Sequence, residues 1–154
     1  MSTPRLVDRV PSVKAVSVAR LERHRLKFHK RSKYGSGKCD IEFTNDKNDV
    51  VYGVVFQILA SEKPVLDKKE GLGSGYKEKL VSVIGQNGEL FNATTYYATD
   101  IDSSLKPYHW YKEHVVRGAK EHNFPAEYTK TIESVESVPD PDPKNHEKEL
   151  SIYH

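Results

Sequence analysis

Glu70 is the residue of this sequence whose type and setting could most readily do chemistry. It follows Ser61-Glu62-Lys63-Pro64-Val65-Leu66-Asp67-Lys68-Lys69 and precedes Gly71-Leu72-Gly73-Ser74-Gly75. Ser61 reads as an N-cap, Pro64 fits a first helical turn, and Val65, Leu66 and Lys69 have helical spacing. Three glycines in five residues then forbid a helix and let backbone come close to a ligand. A carboxylate at such a junction can point into a cavity. With an apolar surround, of the kind the run Val51 to Leu59 could offer, it would serve as a general base near neutral pH. The plainer alternative is a solvated glutamate in the last turn of a helix.

Other chemical groups carry weaker signals. Tyr76, Tyr96, Tyr97, Tyr108, Tyr111 and Tyr128 supply more hydroxyls than a small core satisfies cheaply, so some should line a polar cavity. Gly35-Ser36-Gly37-Lys38 lacks the first glycine of a phosphate loop and leads into strand-like sequence, so it reads as a hairpin loop. None of the seven histidines has a partner at metal-ligand spacing, so no metal site is expected. His114 reads as a helix-surface residue. Cys39 lies in a strand pattern without a paired histidine and reads as a packing residue.

The elements that would position these groups fall into strands first and helices last. Val13–Leu21, His24–Lys30 and Lys38–Thr44 alternate, and Val50–Leu59 is the most apolar run and reads as a central strand. Tyr76–Ile84 and Glu89–Ala98 flank Asn87-Gly88, a hairpin signal. Pro107–Glu121 carries a stripe of Tyr108, Tyr111, Val115 and Ala119. Pro125 opens a second helix, with Tyr128, Ile132 and Val135 on its inner face. This order predicts an α+β fold in which a mixed sheet curls into a small barrel with flanking helices, its edges thereby hidden. Val16, Leu26, Phe28, Val54, Phe56, Val81 and Val83 are the expected core. Residues 1–138 form the expected domain, and the prolines after Val138 introduce a polar C-terminal tail over 139–154.

Composition sets the outer bounds. The 154 residues suffice for one domain, and a net charge of +2 does not call for nucleic acid or an anionic membrane. Charge is uneven: Arg20–Lys38 holds eight Lys or Arg and one acid, whereas Glu133–His154 holds six acids and two lysines. The alternation makes the basic run the solvated face of a hairpin rather than a nucleic-acid surface. A single cysteine, no apolar segment after Arg5 and no run near the roughly 20 residues of a membrane span predict a cytoplasmic protein without a membrane partner.

Taken in order, Val51-Tyr52-Gly53-Val54-Val55-Phe56, the Glu70-Gly71 turn, Tyr111 and Gly118-Ala119-Lys120-Glu121-His122 resemble the γ-glutamylcyclotransferases, over nearly the whole chain to about Pro139. The resemblance implies a small barrel around a cavity and a metal-free, cofactor-free reaction. In it the α-amine of a γ-glutamyl group attacks its own γ-carbonyl, closing 5-oxoproline and expelling an amino acid, peptide or amine. It assigns the catalytic proton transfers to Glu70 and substrate contacts to Tyr111, Tyr96, Tyr76 and Gly71. It leaves open whether glutathione, γ-glutamyl amino acids or γ-glutamyl-lysine isopeptides are used. The family's opening strand and Tyr-Gly-Ser-Asn loop have no counterpart, because Met1–Leu6 begins where that loop ends; Tyr34-Gly35-Ser36 lies in a basic hairpin and is not its equivalent. A form extended upstream is therefore expected to be the more active, and a catalytically incomplete member that binds a small ligand or a protein is the alternative function. A bare sheet edge would be open to a second copy in a homodimer.

Overall fold

Side-chain alternation builds six strands among the described residues, and all of their ladders are antiparallel. The structure is a computed structural model that describes residues 2–154. A short helix α1 (Thr3–Arg9) comes first, followed by β1 (Lys14–Glu22), β2 (His24–Arg31), β3 (Gly37–Phe43) and β4 (Val50–Gln57). A single 3-10 turn (Ala60–Glu62) leads into α2 (Lys63–Glu70), then β5 (Tyr76–Gly85) and β6 (Leu90–Ala98). Helices α3 (His109–Glu121), α4 (Ala126–Glu133) and α5 (Pro143–Leu150) complete the chain. The sheets run β4-β1-β5-β6 and β2-β3, curled together into a half-barrel, and parallel pairing is confined to two isolated bridges. A buried link joins the sheets: the Ala98 amide of β6 donates to Asp40 Oδ1 of β3 at 2.7 Å, and within the smaller sheet His29 Nε2 pairs with Asp40 Oδ2 at 2.7 Å.

The expected α+β class, strand set and Asn87-Gly88 hairpin are present, but the strands pair antiparallel rather than as a mixed sheet, and other details differ. Val16 is 49% exposed rather than part of the core. A bulge between Ala15 and Ser17 leaves Val16 unpaired and interrupts the alternation. The apolar strand β4 lies at a sheet edge, not in the centre; its Tyr52 ring is 5.0 Å from that of Tyr128 on α4, so a helix accounts for its apolar character. Ser61 sits inside the 3-10 turn and does not cap α2, whereas Pro64 does occupy its first turn. Helix α1 occupies a segment the sequence reading left without an element, and its Leu6 is buried.

The polar C-terminal segment is ordered by α3. Asp142 caps α5 by accepting the Lys144 amide at 3.0 Å, with Pro143 in the first turn. Its acids and hydroxyls then reach buried His114, which is 2% exposed rather than on the surface. His114 Nδ1 meets the Tyr153 hydroxyl at 2.7 Å and Nε2 meets Glu149 at 3.2 Å; Tyr153 in turn bonds Ser2 at 2.7 Å. Phe28, Val116, Ala119 and Ile132 form the core between β2 and the α3–α4 pair. No helix among the described residues is long and apolar enough to cross a membrane.

Burial lowers the His114 pKa from its ordinary value; Glu149 opposes that shift, and Arg5 and Arg9 add to it. The folded state therefore binds fewer protons here than the unfolded chain. Stability is intact above about pH 6.5 and falls as pH drops below it toward the folded value. Burial also lowers His122, so the attribution to His114 needs a variant. The urea midpoint of the chain is expected to fall between pH 7.5 and 5.5, and more shallowly in His114→Gln. Identical slopes in the two proteins would remove His114 from the account.

Candidate active site

Glu70 closes α2, and the left-handed backbone that follows requires glycine. Gly71, Gly73 and Gly75 have φ of 79°, 80° and 99°. The Leu72 amide returns to Asp67 O at 2.9 Å and that of Gly71 to Lys68 O at 3.3 Å, which terminates the helix. A carboxylate is unfavourable at this end, where the helix dipole is negative. The offsetting charge comes from α1: Arg9 Nη1 donates to Glu70 Oε1 at 2.7 Å, with the two side chains 18% and 21% exposed.

Glu70 and the glycine turn line an open cleft of about 440 Å³. Its other walls carry Lys30, Arg31, Lys33, Lys38 and Lys69, with Asp100 as the second acid. The apolar surround expected from β4 is therefore absent from this cleft. Cations surround Glu70 because β2 and β3 turn their basic ends toward the α2–β5 connection.

The predicted site residues separate into two groups. Gly71 and Tyr76 line the cleft with Glu70. Tyr111 stands beneath it, braced with Tyr76 on the backbone of one residue: the Cys39 amide donates to the Tyr111 hydroxyl at 3.0 Å, and the Tyr76 hydroxyl donates to Cys39 O at 2.7 Å. Burial raises the pKa of both phenols and pushes the Cys39 thiol up to about 11, so all three are protonated at neutral pH. Because Tyr111 accepts from Cys39, its own proton is left to donate. Tyr96 is placed apart from the cleft lining: its hydroxyl donates to Asp67 Oδ1 at 2.5 Å, on the α2 turn before Glu70. Lys63 bonds the same carboxylate, and these contacts hold Asp67 below the usual carboxylate range, Lys63 first and Tyr96 second. Tyr96 thus steadies the helix that presents Glu70.

Removing the two braces should have unequal effects. Tyr111→Phe strands the Cys39 amide without its acceptor and is expected to cost about 1–3 kcal/mol, whereas Tyr76→Phe removes one donor from a carbonyl and should cost about 1 kcal/mol. Chemical unfolding of both variants checks the order, and a larger loss in Tyr76→Phe would reverse it.

Sequence reasoning missed Arg9, Lys30 and Lys38. Arg9 lies in a helix too short to show a stripe. The lysines were visible only as part of a basic run, and their shared cleft depends on strand register.

A profile of the AIG2-like family matches residues 50–132. γ-Glutamylcyclotransferase from Bos taurus is 36% identical over 139 residues, which cover 87% of this chain and 73% of the relative. The Homo sapiens protein of the same name is 33% identical over the same shares. The chain belongs to the γ-glutamylcyclotransferase family. A solved γ-glutamyl cyclotransferase structure, 28% identical, superposes with a TM-score of 0.84 over 96% of this chain and 92% of its own. The members of this family are named as enzymes, and the Glu70 cleft is the candidate active site of this γ-glutamylcyclotransferase homologue.

Proposed function

We propose that the chain cyclises γ-glutamyl compounds to 5-oxoproline and releases the amino acid, peptide or amine they carry. The observation that supports this most is the Glu70 carboxylate at a glycine turn, open to a cleft and held by Arg9. A γ-glutamyl head group carries an ammonium and a carboxylate on one carbon. Glu70 and Arg9, 2.7 Å apart, match that pair of charges. The ammonium faces Glu70, and the carboxylate faces the guanidinium donors that Glu70 leaves free.

The reaction follows from this placement. Glu70 takes a proton from the α-ammonium, and the neutral amine attacks the γ-carbonyl, so that a nitrogen–carbon bond closes a five-membered ring. The amide bond to the leaving nitrogen then breaks as Glu70 returns the proton to that nitrogen, and the second proton shed by the ring nitrogen passes to the released amine, which departs as an ammonium group. Water is not consumed. General acid–base assistance of this kind contributes about 10²–10⁴-fold, and holding the chain folded for ring closure adds an effective-molarity gain. We assign the activity to the cytoplasm, in keeping with a single, unpaired cysteine.

The test is product analysis in H₂¹⁸O with a γ-glutamyl dipeptide. Cyclisation yields unlabelled 5-oxoproline and one equivalent of amino acid. Labelled glutamate instead would mean hydrolysis and would refute this reading.

A further inference from the structure

Lys30 and Lys38 stand directly opposite one another in the β2–β3 register, and both face the cleft. Like charges placed this way repel and weaken a strand pair. Neither has a carboxylate within ion-pair distance among the described residues, because the nearby acids are engaged elsewhere. Arg31 takes Asp100 and Asp102, His29 takes Asp40, and Arg9 takes Glu70. The Lys30 side chain is buried, 8% exposed, with its ammonium 4.7 Å above the Tyr76 ring. A Cβ at Gly75 would lie 2.8 Å from that ammonium, so the glycine is what lets the charge sit against the turn. Loss of hydration lowers the pKa of both amines, and Arg5, Lys30 and Arg9 lower that of Lys38 further. Asp100 and Glu70 act on Lys30 and Lys38 only from beyond ion-pair distance, so two dehydrated ammonium groups without a contacting carboxylate are a place for an anion.

The position within the cleft says which anion. Glu70 marks one end of the glycine turn and Lys30 the other, beside Gly75. With the glutamyl head on Glu70 and Arg9, the leaving portion extends toward the lysines. We propose that Lys30 and Lys38 clamp the side-chain carboxylate of an acidic leaving amino acid, so that γ-glutamyl-glutamate and γ-glutamyl-aspartate are preferred over neutral γ-glutamyl amino acids. This rests on the cyclotransferase reading above.

The experiment compares γ-glutamyl-glutamate with γ-glutamyl-alanine, which lacks only the side-chain carboxyl group and one carbon. The ratio of their kcat/KM values is expected to favour the acidic dipeptide by about tenfold or more, and the added salt that screens the pair should narrow it. Lys30→Met and Lys38→Met should each shrink the ratio toward one. Both variants remove a like-charge repulsion, so they should unfold at the same or higher urea concentration, which separates lost binding from lost folding. Calorimetric titration of both dipeptides into Glu70→Gln tests the clamp without turnover. Release of 5-oxoproline with equal efficiency from both would overturn the clamp and leave the cyclisation standing. Absence of 5-oxoproline together with lysine-dependent preference in binding would sustain the clamp and overturn the cyclisation. Absence of both would overturn both.

Discussion

Glu70→Gln is expected to reduce 5-oxoproline release by at least about 10²-fold in kcat, with KM changed little. The substitution is close to isosteric. An amide oxygen can still accept from Arg9, where the wild-type contact is 2.7 Å, so α1 and α2 should remain joined and the urea midpoint should hardly move. What an amide cannot do is take a proton from the α-ammonium and return it to the leaving nitrogen. The predicted pattern is therefore a loss in kcat without a matching loss in folding or binding. Glu70→Ala would confound the test, because it leaves the Arg9 guanidinium beside a gap. Turnover of Glu70→Gln within a few-fold of wild type would move the proton transfers elsewhere. Asp100, the other acid of the cleft, would be the next residue to vary.

Legibility in the sequence followed the range of the interactions. The β5–β6 hairpin was readable because a two-residue Asn-Gly turn and period-2 alternation are local, and the pairing runs in register from Tyr76↔Ala98 to Ile84↔Leu90. Glu70 with its glycine turn was readable for the same reason. The bulge that exposes Val16 appears only in the pairing of β1 with β4, where Ala15 and Ser17 face the consecutive residues Phe56 and Val55. His114 looks like a surface residue of α3 until Glu149 and Tyr153, more than thirty positions later, cover it. Likewise the cationic character of the cleft depends on the register that sets Lys30 opposite Lys38 and on α1 delivering Arg9. The candidate carboxylate was thus recoverable from one segment, whereas its electrostatic setting comes from α1, β2 and β3.

Gly37→Ala is expected to be among the most destabilising single changes in the chain, by about 3 kcal/mol. Gly37 opens β3, and a Cβ there would lie 2.1 Å from the Phe28 carbonyl oxygen and 3.3 Å from the Lys106 carbonyl carbon. Both contacts are backbone, so no side chain can swing aside. The Phe28 carbonyl belongs to the β2 segment where the register shifts between Lys27 and Lys30, and Phe28 itself is in the core. The Gly37 amide also donates to Lys106 O at 2.8 Å, which fixes the approach to α3. Relief of the clash must therefore move β3 away from β2 or from the Lys106 loop. Either movement displaces Cys39 from its Tyr76 and Tyr111 contacts and parts Lys30 from Lys38, so cleft function should fail along with stability. Gly53 is the internal control, since a Cβ there meets nothing within 4 Å and its φ is not positive. Gly53→Ala should be neutral or stabilising by up to about 1 kcal/mol, because alanine lowers the entropy of the unfolded chain. Urea unfolding of the two variants decides the matter: similar midpoints would mean that β3 yields without cost and that its close approach to β2 does not hold the site together.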